Sequence, residues 1–129
     1  MSSSPGDRLY TRTHEWIKVE GSGASVGLTA FAVEAIKDIV FIELPAAGRV
    51  LEAGKAFGVV ESVKAVFDLN APLSGTVSAS NKAVEADFSA LAADPYGAGW
   101  LLKLEGVSGE RSALLDAEAY DRFCAQERH

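Results

Sequence analysis

Ala56-Phe57-Gly58-Val59-Val60-Glu61-Ser62-Val63-Lys64-Ala65-Val66-Phe67-Asp68-Leu69-Asn70-Ala71 is the stretch whose folding decides the architecture. Its residues are mostly β-branched, aromatic or small, yet as one strand it would far exceed the usual length of about five or six residues. Its polar interruption is Glu61-Ser62, with Lys64 close behind, so the run is expected to fold back there as a hairpin. The flanks support this. Pro45-Ala-Ala-Gly48-Arg-Val50-Leu-Glu-Ala-Gly54-Lys55-Ala56 recurs as Pro72-Leu-Ser-Gly75-Thr-Val77-Ser-Ala-Ser-Asn81-Lys82-Ala83, identical at five of twelve positions. Each copy reads as a Pro/Gly turn, a strand and a second turn at Gly54 or Asn81. The two copies are centred on residue 64. Two pseudo-symmetric strand units facing each other across a shared core would put Lys64 at or beside the hairpin tip. Chance agreement between two common turn–strand patterns is the competing reading. The tip offers no Asn-Gly or Asp-Gly for a tight turn, so something other than turn chemistry is expected to have selected Glu61-Ser62-Val63-Lys64-Ala65.

Outward from this centre, short apolar runs alternate with turn residues. Trp16–Val19 and Ala24–Leu28 flank Glu20-Gly-Ser-Gly23 and read as a hairpin. Thr29 can cap a short helix over Ala30–Ile36, and Ile39–Leu44 is a strand stopped by Pro45. Further strands are expected at Arg49–Leu51, Phe57–Val60, Ala65–Leu69, Gly75–Ser78 and Trp100–Leu104, and a closing helix over Ala117–Cys124 capped by Asp116. Many short strands with Gly/Pro turns point to a mainly β sandwich or barrel with short flanking helices and a C-terminal helix.

The chain has 129 residues, with 12 Lys+Arg against 18 Asp+Glu and a net charge of −6. That is the size of one domain, taken as residues 8–129 after a mobile tail over residues 1–7. The acidic balance argues against nucleic acid as a partner, since phosphate binding needs a basic surface. One cysteine makes no internal disulfide, and two distant histidines make no metal cluster, so no metal is expected. No apolar run approaches the length of a membrane span and no targeting segment is seen. A bacterial cytoplasmic location and a monomer are expected.

No catalytic residue is assigned. An exposed lysine is usually a solvated charge, and to act as an amine catalyst it would need burial or a cationic neighbour to lower its pKa. A protruding tip beside Glu61 supplies neither. It does let another enzyme reach and acylate the amine.

A lysine on a hairpin between two symmetric units resembles the lipoyl and biotinyl carrier domains. Glu61-Ser62-Val63-Lys64-Ala65 is similar to the lipoylation motif of the glycine cleavage system H proteins, and differs from the Met-Lys-Met of biotin carriers and the Asp-Lys-Ala of 2-oxo acid dehydrogenase lipoyl domains. His14-Glu15-Trp16, Val26-Gly27-Leu28-Thr29, Asp38–Pro45, Gly48, Ala71–Gly75, Asn81, Asp94-Pro95-Tyr96-Gly97, Gly99-Trp100-Leu101 and the Tyr120 helix extend the resemblance over about residues 8–123. Lys37-Asp38 in place of Gly-Asp, Phe31-Ala32-Val33 in place of Tyr-Ala-Gln, and the segment Asp87–Ala93 depart from it.

The resemblance implies a barrel-sandwich hybrid (hammerhead) fold and a non-enzymatic carrier with lipoic acid attached covalently to Lys64. Glu61, Ser62, Val63 and Ala65 would serve recognition by the lipoylating enzyme. Its implied partners are the pyridoxal-phosphate decarboxylase (P protein), which delivers the aminomethyl group of glycine, the aminomethyltransferase (T protein), and dihydrolipoamide dehydrogenase (L protein). A divergent H-like carrier serving other lipoyl-dependent complexes and a biotinyl-type carrier are the alternatives. The loaded arm must avoid water between enzymes, which favours a docking cleft; His14 and Glu15 are candidates for its wall. Gly23-Ala-Ser25-Val-Gly27 matches Gly-x-Ser-x-Gly but lacks the strand–Ser–helix order of a nucleophile elbow. Trp16, Trp100 and Cys124 are read as packing residues.

Overall fold

The β6–β7 hairpin, formed by Ala56–Ser62 and Val66–Asn70, carries Lys64 at its tip, and the rest of the fold is arranged around it. The computed structural model describes residues 4–36, 38–109, 111–112 and 114–127. Met1–Ser3 of the expected tail, and Lys37 among the departures noted above, lie outside them. The other strands are β1 (Leu9–Tyr10), β2 (Glu15–Glu20), β3 (Gly23–Leu28), β4 (Ile39–Glu43), β5 (Val50–Leu51), β8 (Ser74–Ser80) and β9 (Leu102–Ser108). The helices are α1 (Ala30–Ile36), α2 (Lys82–Ala86), α3 (Ser89–Ala93) and α4 (Ala117–Glu127).

Among the described residues the strands form a six-stranded sheet, ordered β1-β2-β3-β9-β8-β5, and a three-stranded sheet, β4-β6-β7, with every pairing antiparallel. The β2–β3 hairpin closes with Glu20 opposite Gly23, and Gly21 takes the positive φ of 64° that this two-residue loop requires. Thr29 caps α1 as expected, its Oγ1 accepting from the Ala32 amide at 3.2 Å. Asp116 caps α4 through the Ala119 amide at 2.8 Å.

The repeat has a structural counterpart. In the β6–β7 ladder Glu61 faces Val66 and Val60 faces Phe67, so the axis of this hairpin falls between Val63 and Lys64. β5 and β8, the strands of the two copies, pair with each other, Val50 against Thr76 and Leu51 against Gly75, about a centre at Val63, within one residue of the hairpin's. The symmetry ends after the second turn. The first copy runs on into strand β6, whereas the second enters helix α2 after Asn81. The Asn81 side chain donates to the carbonyls of Ala98 (3.0 Å) and Trp100 (2.8 Å) and draws that segment out of the sheet, so β9 starts at Leu102 rather than at Trp100.

Apolar residues facing inward from both sheets make the main core. Ile17, Val26, Leu28, Leu102 and Leu104 meet Ile42, Phe57, Val60 and Leu69. A second, aromatic cluster of Tyr10, Trp16, Tyr120 and Cys124 fixes α4 against β1 and β2. Each large side chain buried in these clusters contributes about 1.5–3 kcal/mol. Trp16 and Cys124 are thus packing residues, and Ser25 lies mid-strand in β3, followed directly by strand residues rather than by a helix.

Candidate functional site

Ser62 supplies the turn chemistry that the tip was expected to lack. Its amide donates to the Ala65 carbonyl at 2.8 Å, and its Oγ accepts from the amides of Lys64 (3.3 Å) and Ala65 (3.1 Å). A serine hydroxyl that bonds its own following backbone makes a local turn without glycine. The expectation that turn chemistry did not select this motif is therefore corrected at Ser62. The tip is also fastened from the side. The Val63 amide donates to the Asp38 carbonyl at 3.2 Å, and Asp38 holds a left-handed φ of 47° in the α1–β4 connection. Val63, Lys64 and Ala65 are exposed, while Glu61 sits half-buried in the ladder between Phe41 and Val66. A short, stiff turn thus projects one primary amine into solvent.

A groove of about 470 Å³ runs from the base of this tip. Ala32, Ala35 and Ile36 of α1 form one wall and Val66, Phe67 and Asp68 of β7 the other. Phe67 is 41% exposed, large for a residue of its apolarity, because it faces the groove. At about 3.3 Å per residue along a strand, Phe67 lies roughly 10 Å from Lys64. His14 lines the far part of the groove. Beyond it a more polar cavity of about 450 Å³ shares Arg12, Thr13 and Asn70 as a common wall and has Glu15 in its lining. His14 thus lines the groove, and Glu15 lines the adjoining polar cavity.

Glu15 is fully buried. One carboxylate oxygen accepts from the Thr11 hydroxyl at 2.6 Å and from the Thr13 hydroxyl, and the other accepts from the Asn70 amide at 3.0 Å. It thereby links the loop before β2 to the end of β7. Burial pushes its pKa above the ordinary glutamate value of 4.5, against the opposing pull of these hydrogen bonds. An acid that holds its proton more tightly when folded contributes stability that is complete below pH 4.5 and is lost as pH rises through the folded-state pKa. In urea titrations from pH 4 to 8, the stability of the wild-type protein relative to Glu15→Gln is therefore expected to fall with rising pH. A pH-independent difference would remove this reading.

Sequence reasoning missed most of the groove, since its walls come from three segments far apart in the chain. Exposed Phe67, an aromatic next to the tip, was the available signal. Among the described residues no group of His, Cys, Asp and Glu is arranged to hold a metal, and no helix is long and apolar enough to cross a membrane.

The sequence profile of the family described as Glycine cleavage H-protein matches residues 8–127. The glycine cleavage system H protein of Thermosynechococcus vestitus is 53% identical over 116 residues, 90% of this chain and 91% of that protein. That of Beutenbergia cavernae is 51% identical over 119 residues, 92% of this chain and 94% of that protein. The crystal structure of a glycine cleavage system H protein from Mycobacterium marinum superposes with a TM-score of 0.83 at 42% identity, covering 98% of this chain and 100% of the other. The chain belongs to the glycine cleavage H-protein family.

Proposed function

We propose that this chain is the carrier of the glycine cleavage system, with lipoic acid in amide linkage to Lys64. The observation that carries the proposal is an exposed lysine on a stiff tip two residues from a groove that Ile36, Val66 and Phe67 make apolar near its base. When bound, the lipoyl group supplies a disulfide that takes up the aminomethyl group of glycine together with two electrons. The chain's own residues then have three tasks. The Ser62 turn holds the Lys64 amine clear of the surface, where a lipoylating enzyme can acylate it, and Glu61, Val63 and Ala65 complete the outline that enzyme reads. Ala32, Ala35, Ile36 and Phe67 offer apolar surface to the hydrocarbon part of the arm and exclude water from its end. Thr11 and Thr13, held by the buried Glu15, place hydroxyl groups at the polar cavity next to the groove, where the amine end of the arm finds hydrogen-bond partners.

Tethering keeps the arm near the groove at an effective concentration of roughly millimolar, so docking and release are both fast. The exposed Lys64 tip would present the attached group to the P, T and L proteins in turn. Asp38, Glu61 and Asp68 give the tip an acidic surround that speeds encounter with basic partner surfaces. The family match favours neither a biotinyl carrier nor a divergent relay.

Ala35→Trp tests the groove. Ala35 is exposed on α1, so the larger ring fills the channel without disturbing the core. Lipoylation seen by intact-mass spectrometry should be unchanged. Ammonia release from the glycine-loaded carrier into water, measured without T protein, should rise about tenfold, because a loss of about 1.4 kcal/mol of docking exposes the arm. Release at the wild-type rate would mean that the arm is sheltered elsewhere.

A further inference from the structure

One hydroxyl joins the α1 wall of the groove to the His14 loop at its far part. The phenol of Tyr120, on α4, lies 2.6 Å from Thr29 Oγ1 and 2.7 Å from His14 Nδ1. Thr29 caps α1, whose Ala32, Ala35 and Ile36 form one wall; His14 belongs to the loop that lines the groove's far part. The Thr29 amide also donates to the His14 carbonyl at 3.1 Å, so the two segments meet at a backbone bond and at the shared phenol. His14 needs such support. It holds a left-handed φ of 72°, which costs a residue with a side chain about 1–2 kcal/mol unless its surroundings enforce it. Phe31 of α1 stacks against its ring with centroids 4.7 Å apart.

Tyr120 is 1% exposed and its ring stacks on Tyr10 at 4.7 Å. The stack accounts for the ring. It does not account for the hydroxyl, which the carrier chemistry does not touch and which phenylalanine would lack at no cost to packing. Burial keeps the phenol protonated well above its ordinary pKa, so its one proton serves one partner and its lone pairs the other.

We propose that Tyr120 is a positioning residue for the arm groove: its hydroxyl, held by the C-terminal helix, sets the spacing between the α1 wall and the His14 loop. The inference rests on the reading of the groove as the arm's docking site. It makes α4, which lines no part of the groove, a determinant of how well the loaded arm is sheltered.

The test compares Tyr120→Phe with Tyr10→Phe. Both keep the stacked rings; Tyr120→Phe loses the hydroxyl contacts to Thr29 and His14, and Tyr10→Phe loses one part-buried bond to the Pro5 carbonyl, away from the groove. In the unmodified protein, amide hydrogen exchange at Thr29 and Ala32 is expected to be about fivefold faster in Tyr120→Phe, the consequence of the lost contact to Thr29, and unchanged in Tyr10→Phe. In the lipoylated, glycine-loaded protein, ammonia release without T protein is expected to rise about fivefold in Tyr120→Phe only. Equal effects of the two variants on exchange and release would reduce Tyr120 to a stability residue and overturn the proposal. So would wild-type exchange in Tyr120→Phe, or wild-type release from it while Ala35→Trp leaks. If Ala35→Trp also releases ammonia at the wild-type rate, the docking reading itself fails, and the positioning role falls with it.

Discussion

Lys64→Arg protein isolated from lipoate-fed cells is expected to emerge at its unmodified mass, and the wild-type chain with one lipoyl group added. Arginine keeps the positive charge and most of the side chain's reach, but its delocalised guanidinium does not form the amide. Because residue 64 is exposed and the Ser62 turn is made by backbone and hydroxyl groups, stability should change by less than about 0.5 kcal/mol. Glycine–bicarbonate exchange with purified P protein should be lost completely. Other lysines provide the internal control. Lys55 and Lys82 occupy equivalent places in the two repeats, yet neither lies at a hairpin tip, and Lys82 pairs with Glu85 at 3.4 Å. Lys18 pairs with Asp7 at 3.4 Å, and Lys103 lies over the Trp100 ring at 5.1 Å. A lipoyl group on the Lys64→Arg protein would place attachment at one of the chain's other lysines and refute the tip as the site.

Gly58→Ala has the largest expected effect on the fold. Gly58 lies on β6 at the irregularity in its pairing with β7, and a Cβ there would come 2.2 Å from the Glu43 carbonyl oxygen of β4. That neighbour is backbone, so relief requires the two strands to part. The cost should be about 2–4 kcal/mol, and the midpoint of thermal unfolding should drop by roughly 8–15 °C. Gly6, with open space around its Cβ position, provides the comparison, and Gly6→Ala should be neutral. The strain also has a route to the site. β4 begins one residue after Asp38, whose carbonyl holds the Val63 amide at the tip, so displaced β4 should slow lipoylation as well as lower stability. Urea unfolding and the extent of modification after a fixed growth period measure the two effects. A stability loss below about 1 kcal/mol would mean that the strands separate easily at this point.

The local elements were legible in the sequence where side-chain pattern and backbone chemistry agreed. Thr29 and Asp116 cap the helices they were expected to cap, and the turn at residues 20–23 joins the expected strands. The fold-back at Lys64 was legible because a repeat has a centre. β1, α2 and α3 were not. β1 is two residues whose pairing to Ile17 and Trp16 is decided by contacts distant in sequence, and five-residue helices are too short for a period to show. Ser62 could have been read, since a serine two residues before the tip lysine can close a turn with its hydroxyl. The groove could not. It needs α1, β7 and the His14 loop brought together, and the Thr29–Tyr120–His14 link joins residues up to 106 positions apart.

The place of the β6–β7 hairpin between the two repeat copies also bears on valency. Lys64 belongs to neither copy, so it has no counterpart, and a group attached there would occur once per chain. α1 and His14, which line the groove with β7, also lie outside the repeats, so the repeat does not duplicate them. On the proposed reading one arm would meet one shelter, and the stoichiometry that suits a carrier of labile cargo would follow from where the chain folds back on itself.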